Sequence, residues 1–98
     1  QLFTLDTLSI DYQQRTVSRS EKLIALSPTQ WKLLILLAKS SPEIVDRITI
    51  ENEIWPDLLP SKDMLKTLIC RLRNLIDSTD ELKLVHTVRG AGISLKVL

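Results

Sequence analysis

Apolar positions along the chain change their spacing twice, which divides it into a strand-like start, a helical middle and a strand-like end. The start holds four short runs, Leu2-Phe3-Thr4-Leu5, Thr7-Leu8-Ser9-Ile10, Arg15-Thr16-Val17-Ser18 and Lys22-Leu23-Ile24-Ala25-Leu26. Turn-formers separate them at Asp6, Asp11 and Ser18-Arg19-Ser20-Glu21, so this stretch reads as a small antiparallel sheet.

The middle opens on Ser27-Pro28-Thr29-Gln30: a capping serine, a proline at the first helical position and a glutamine three residues after the cap. That signal starts a first helix, which runs through Trp31 and the apolar stretch Leu33 to Ala38 to about Lys39. It is apolar around most of its girth, which predicts burial on several sides. Ser40-Ser41-Pro42 stops it. A second helix is expected from Asp46 as cap to Trp55, with Ile50 and Ile54 on its core side, and Pro56-Asp57-Leu58-Leu59-Pro60 forms the loop after it.

A third helix is expected from Ser61 as cap to Ile76 or Asp77, because Leu65, Leu68, Ile69, Leu72, Leu75 and Ile76 recur at helical spacing. At about 100° per residue, Asp63, Lys66, Thr67, Cys70, Asn74 and Asp77 lie opposite that stripe, with Arg71 and Arg73 on its flanks. A turn over Asp77-Ser78-Thr79-Asp80-Glu81 leads to Lys83 to Val88. Arg89-Gly90-Ala91-Gly92 then joins it to Ile93-Ser94-Leu95-Lys96-Val97, which alternates with period two. Both glycines fall in that connection, which fits a β-hairpin. The order is an α+β fold of a small sheet, three helices and a hairpin: a helix-turn-helix followed by a wing.

With 98 residues the chain is a single domain, 1–98. Its 44% hydrophobic and 26% charged residues exclude disorder and low-complexity sequence. The longest apolar run is far shorter than the roughly 18 residues of a membrane span. One cysteine, Cys70, cannot form an internal disulfide, and no Cys/His spacing matches a zinc site, so no metal or other cofactor is expected, and a reducing compartment, the cytoplasm, is. The chain opens at Gln1 with no signal-peptide pattern, and we read it as a domain of a longer protein.

A net charge of +1 names no partner, but the charge is unevenly spread. Residues 1–59 hold 6 Lys+Arg against 8 Asp+Glu, net −2, whereas residues 60–98 hold 7 against 4, net +3. The basic half contains the third helix and the hairpin, so Lys62, Lys66, Arg71, Arg73 and Arg89 form a candidate phosphate-facing patch.

Four segments together resemble a known family: Leu26-Ser27-Pro28-Thr29-Gln30-Trp31-Lys32-Leu33-Leu34; Asp46-Arg47 with Ile54-Trp55; Leu68-Ile69-Cys70-Arg71-Leu72-Arg73-Asn74-Leu75-Ile76; and Thr87-Val88-Arg89-Gly90-Ala91-Gly92. The chain resembles, over essentially its whole length, the C-terminal effector domain of OmpR/PhoB-type response regulators, which are winged-helix transcription factors. The resemblance implies an N-terminal four-stranded sheet and a third helix that enters the major groove of double-stranded DNA. It puts Lys66, Thr67, Cys70, Arg71 and Asn74 near base edges or groove walls, Lys62 and Arg73 at phosphates, Thr87 at the backbone and Arg89 in the minor groove. It also implies a receiver domain ahead of this one, a homodimer on tandem half-sites, and an RNA polymerase contact through the loop with Asp57, Leu58 and Leu59. The sequence departs from the family pattern at Asp63, Leu68, Cys70 and Ile93.

Plainer roles compete at several positions. Trp31 and Trp55 sit among aliphatics at helical spacing and read as core. His86 stands alone on a strand and reads as a structural or surface histidine, Cys70 as a small filler, and Lys22, Lys32, Lys39 and Lys96 as solvated charges. Arg71, Arg73 and Arg89 have Asp77, Asp80 and Glu81 as alternative salt-bridge partners, and Arg47 is expected to pair with Glu43 or Glu51. No Ser/His/Asp set, glycine-rich phosphate loop or metal cluster supports an enzyme. The leading reading is sequence-specific DNA binding by a bacterial regulator of two-component signalling. One alternative is the DNA-binding domain of a membrane-anchored ToxR/CadC-type regulator. Another, of a different class, is a winged helix used for protein–protein contact through the loop around Leu58-Leu59.

Overall fold

The computed structural model describes residues 1–78 and 80–98. Thr79, in the expected turn after the third helix, lies outside the described residues. The elements run β1 (Leu2–Leu5), β2 (Leu8–Asp11), β3 (Thr16–Arg19), β4 (Lys22–Ile24), α1 (Pro28–Ser40), α2 (Arg47–Ile54), α3 (Lys62–Ile76), β5 (Val85–Val88) and β6 (Gly92–Leu95). Strands β1 to β4 form an antiparallel meander in sequence order, and β5 and β6 form a separate hairpin. This is the expected winged helix-turn-helix.

The meander turns without glycine. Ser20 and Glu21, between β3 and β4, both take positive φ (48° and 68°), the handedness that matches a two-residue turn to strand twist. Across the sheet, Phe3, Ile10, Val17 and Ile24 lie in register and pack on the helices. The first helix starts as read: Ser27 Oγ accepts from Gln30 N at 3.1 Å, and Gln30 Oε1 accepts from Ser27 N at 2.9 Å. Leu33, Leu34, Leu37 and Ala38 carry α1 into the core, with Ile50, Leu72, Ile76, Leu84 and Leu95 around them. Trp31 and Trp55 are half-buried against that core.

Several local expectations are corrected. Ser61 has the extended backbone of a cap, but its side chain makes no capping bond to α3. The α2 helix ends at Ile54, with Trp55 as its C-cap, β4 stops at Ile24, and Gly92 begins β6 instead of ending the turn. Asp77, expected on the exposed polar face, is buried because its carboxylate serves three partners. Oδ1 accepts from Leu84 N and Oδ2 from Val85 N, both at 3.0 Å, and the Arg19 guanidinium lies 3.2 Å from Oδ1. Ser94, the polar residue of the stretch that alternates with period two, is buried, as are Ile93 and Leu95 on either side of it.

Arg19 lies at the centre of these contacts, only 4% exposed. Its Nε donates to Thr7 Oγ1 at 2.9 Å, Nη1 to the Ile76 carbonyl at 2.7 Å and Nη2 to the Leu82 carbonyl at 2.9 Å. One side chain thus joins the sheet, the end of α3 and the approach to the wing.

Candidate nucleic-acid interface

The wing is set against α2 and α3 by two devices. An isolated bridge pairs Val45 with Ile93, Val45 N donating to Ile93 O at 2.8 Å and Ile93 N to Val45 O at 2.9 Å. A Cβ on Gly92 would run into the Val45 carbonyl, and its φ is +150°, so glycine is what lets β6 approach so closely. From the other side, Arg73 donates through Nε to the Val85 carbonyl at 3.3 Å and through Nη2 to Thr87 Oγ1 at 2.6 Å.

Between α3 and the wing these ties leave a groove of about 550 Å³. Arg47, Lys62, Lys66, Arg73 and Arg89 line it, and no carboxylate does among the described residues. Leu65, Ile69, Val88 and Ile93 make an apolar floor. Arg47 is paired with Glu51, but Lys62, Lys66, Arg73 and Arg89 have no carboxylate within salt-bridge distance among the described residues, so four cations around one concave surface focus a positive potential.

Of the residues singled out in the sequence, Lys62, Lys66, Cys70, Arg73, Thr87 and Arg89 meet along this groove. Thr67, Arg71 and Asn74 do not line it but are exposed on the adjoining outer face of α3. Asp57, Leu58 and Leu59 are exposed on the α2–α3 loop, outside the groove, with Leu59 96% exposed. No ion pair forms between Arg71, Arg73 or Arg89 and Asp77, Asp80 or Glu81 among the described residues, because Asp77 and Glu81 face Arg19. Glu81 also accepts from the Ser20 and Thr7 hydroxyls, and these bonds, the Ser20 one above all, hold its carboxyl below the usual range. His86 has the structural place read for it, its Nε2 lying 3.0 Å from the Lys96 carbonyl.

Arg47 is the groove residue that sequence reasoning missed. Its pairing with Glu51 is as expected, Nε to Oε2 at 2.8 Å, but the same side chain lines the groove. The Val45–Ile93 bridge draws the start of α2 onto the wing, and no spacing along the chain announces a single isolated bridge.

A helix-turn-helix whose last helix and wing enclose a basic groove defines the winged-helix class of DNA-binding folds. The family model "Transcriptional regulatory protein, C terminal" matches residues 14–95, and the chain belongs to that family, the C-terminal effector domains of OmpR/PhoB-type regulators. The chain is 37% identical over 95 residues to the transcriptional regulatory protein PcoR of Escherichia coli, covering 96% of the chain and 42% of PcoR. Its likeness to the transcriptional activator protein IrlR of Burkholderia pseudomallei is 35% over 91 residues, 92% of the chain and 40% of IrlR. The chain therefore spans less than half the length of these relatives. Among solved structures, the RstA DNA-binding domain of Klebsiella pneumoniae, in complex with the RstA box, superposes with a TM-score of 0.83 at 25% identity, over 98% of this chain and 97% of that one. The family is one of transcription regulators and not of enzymes, and no helix among the described residues is long and apolar enough to cross a membrane.

Proposed function

We propose that the chain binds double-stranded DNA sequence-specifically as the effector module of a bacterial two-component transcription regulator, working in the cytoplasm. The observation that carries this is the α3–wing groove, lined by five cations, four of them without an ion-pair partner, and by no carboxylate among the described residues. An α-helix fits the major groove, where the exposed side chains of Lys66, Thr67, Cys70, Arg71 and Asn74 meet base edges or groove walls. Lys62 takes a phosphate, and so does Arg73 with the Nη1 that its wing contacts leave over. Thr87 contacts the backbone, and Arg89 enters the narrow minor groove, where negative potential concentrates. The RstA domain and its DNA box provide a precedent on the same fold.

In this reading a receiver domain precedes the module, its phosphorylation favours a homodimer, and two copies occupy tandem half-sites about one helical turn apart. The exposed Asp57, Leu58 and Leu59 are the surface offered to RNA polymerase.

Selection of this chain on a random double-stranded DNA pool at two salt concentrations tests the proposal. An enriched motif, as a direct repeat, with affinity falling as salt rises supports it. Binding without enrichment at either salt removes the sequence-specific part, and no binding at all favours a protein-contact winged helix.

A further inference from the structure

A second surface lies on α1, and it shares no residue with the DNA groove. Trp31 stands half-buried between two clefts. One, of about 240 Å³, runs along the end of β4 past Ile24 and Leu26. The other, of about 360 Å³, follows the outer face of α1 past Ile35 and Leu36 towards Glu53 of α2. Arg15, from the β2–β3 turn, lines both clefts and holds its guanidinium 5.4 Å from the Trp31 ring centroid, close enough to be fixed by the ring's negative face. A tryptophan with an arginine already set on it is the kind of rigid pair that anchors protein interfaces.

The charges around this ridge are unbalanced. Arg15, Lys32 and Lys39 surround the clefts against a single acid, Glu53, and none of the three cations lies within salt-bridge distance of a carboxylate among the described residues. A core tryptophan and two solvated lysines account for each residue alone, but not for two clefts of mixed polar and apolar lining, with Ile24 and Leu26 in one and Ile35 and Leu36 in the other, under a cationic rim at one ridge.

We propose that this face docks an acidic amphipathic helix of a partner protein. Two apolar side chains one turn apart straddle the Trp31 ridge, one in each cleft, and flanking carboxylates meet Arg15, Lys32 and Lys39. Because the α3–wing groove is made of other residues, the partner binds together with DNA and does not compete with it.

The test starts from a displayed library of short helical peptides, with Leu or Phe fixed at i and i+4 and the remaining positions drawn from Glu, Asp, Ala and Gln, selected on this chain. The selected peptides are titrated into the isotope-labelled chain. Shifts centred on Arg15, the Trp31 indole, Ile35 and Lys39 are expected, with binding at least about tenfold weaker to the Lys32→Glu, Lys39→Glu variant. The same variant should bind DNA as the parent chain does, and it should gain affinity for peptides whose acids are replaced by lysine. A library that yields no binder, peptides that instead move Lys66 and Arg89, or equal binding by the charge-reversed variant each overturn the proposal.

Discussion

Arg73 Nη2 donates to Thr87 Oγ1 at 2.6 Å while Nε of the same guanidinium reaches the Val85 carbonyl, so α3 holds its own wing. The planar fork suits two acceptors at once, which an ammonium does not. Arg73→Ala is expected to lower the unfolding free energy by about 1–2 kcal/mol, since a half-buried charged donor loses two modest bonds. Arg73→Lys should recover little of it. Urea unfolding of the three chains checks this, and full recovery by lysine would show that charge alone, not the fork, makes the tie.

Arg19 and Asp77 make the deeper tie, both buried. Arg19→Met leaves the Asp77 carboxylate with only the Leu84 and Val85 N–H groups, and losing one partner of a buried pair costs about 3–5 kcal/mol. Asp77→Asn added to Arg19→Met is expected to cost less than the sum of the two single changes. Additive losses in denaturant titrations would mean that the two side chains act separately.

The two glycines of the wing are predicted to differ. A Cβ at Gly90 meets nothing nearby, so Gly90→Ala carries only the backbone strain of φ +78°, about 1–2 kcal/mol. Gly92→Ala adds a collision with the Val45 carbonyl and opens the bridge that seats the wing. It should be the more destabilising of the two and the more damaging to DNA binding. Thermal unfolding and a binding titration rank them, and the reverse order would remove the role given to the bridge.

Asp46 caps α2 by accepting from Thr49 N at 2.8 Å, and the bonds it accepts from Thr49 hold its carboxyl below the usual carboxylate range. A folded value below the unfolded one means that the unfolded chain takes up the proton first on acidification. The cap's contribution is therefore whole above the unfolded value and is lost as pH falls through the folded one. Asp46→Asn keeps a capping oxygen without the charge, so its stability gap from the parent should narrow between neutral pH and about pH 3. Glu81 has the same sign but is present in both chains and cancels. A gap independent of pH would show that the Asp46 charge adds nothing to the cap.

Local signals in the sequence were enough for the elements: the Ser27 capping box, the α3 stripe and the glycines of the wing each act within a few residues. They were not enough where a residue's environment is made by distant chain. Asp77 sits at a polar position of the helical wheel, and only Arg19, 58 positions away, and the return of the chain at Leu84 explain its burial. Arg19 itself lay in a turn-forming stretch and carried no periodic signal. The groove was legible along α3 and the wing because both belong to the basic half of the chain. Arg47 was not, since it belongs to the acidic half and reaches the groove through one bridge to Ile93.

Three side chains of the interface are predicted to fail in three different ways. Arg71 is exposed on the outer face of α3 and donates in a fork that matches a guanine edge, so Arg71→Ala should relax the preference at one base position by about 1–3 kcal/mol. Lys62 faces the groove from the first turn of α3, and Lys62→Ala should weaken all sequences alike and reduce the salt slope by about 1. Arg89 is exposed at the end of β5, and Arg89→Ala should matter most for A·T-rich flanks, whose narrow minor groove attracts a guanidinium. Selection and sequencing with each variant separates these outcomes. Uniform loss for Arg71→Ala would move that residue from bases to phosphates, and flank-independent loss for Arg89→Ala would take the wing out of the minor groove. The groove would then act as an electrostatic clamp on the backbone, and sequence would be read only by Thr67, Cys70, Asn74 and their neighbours on α3.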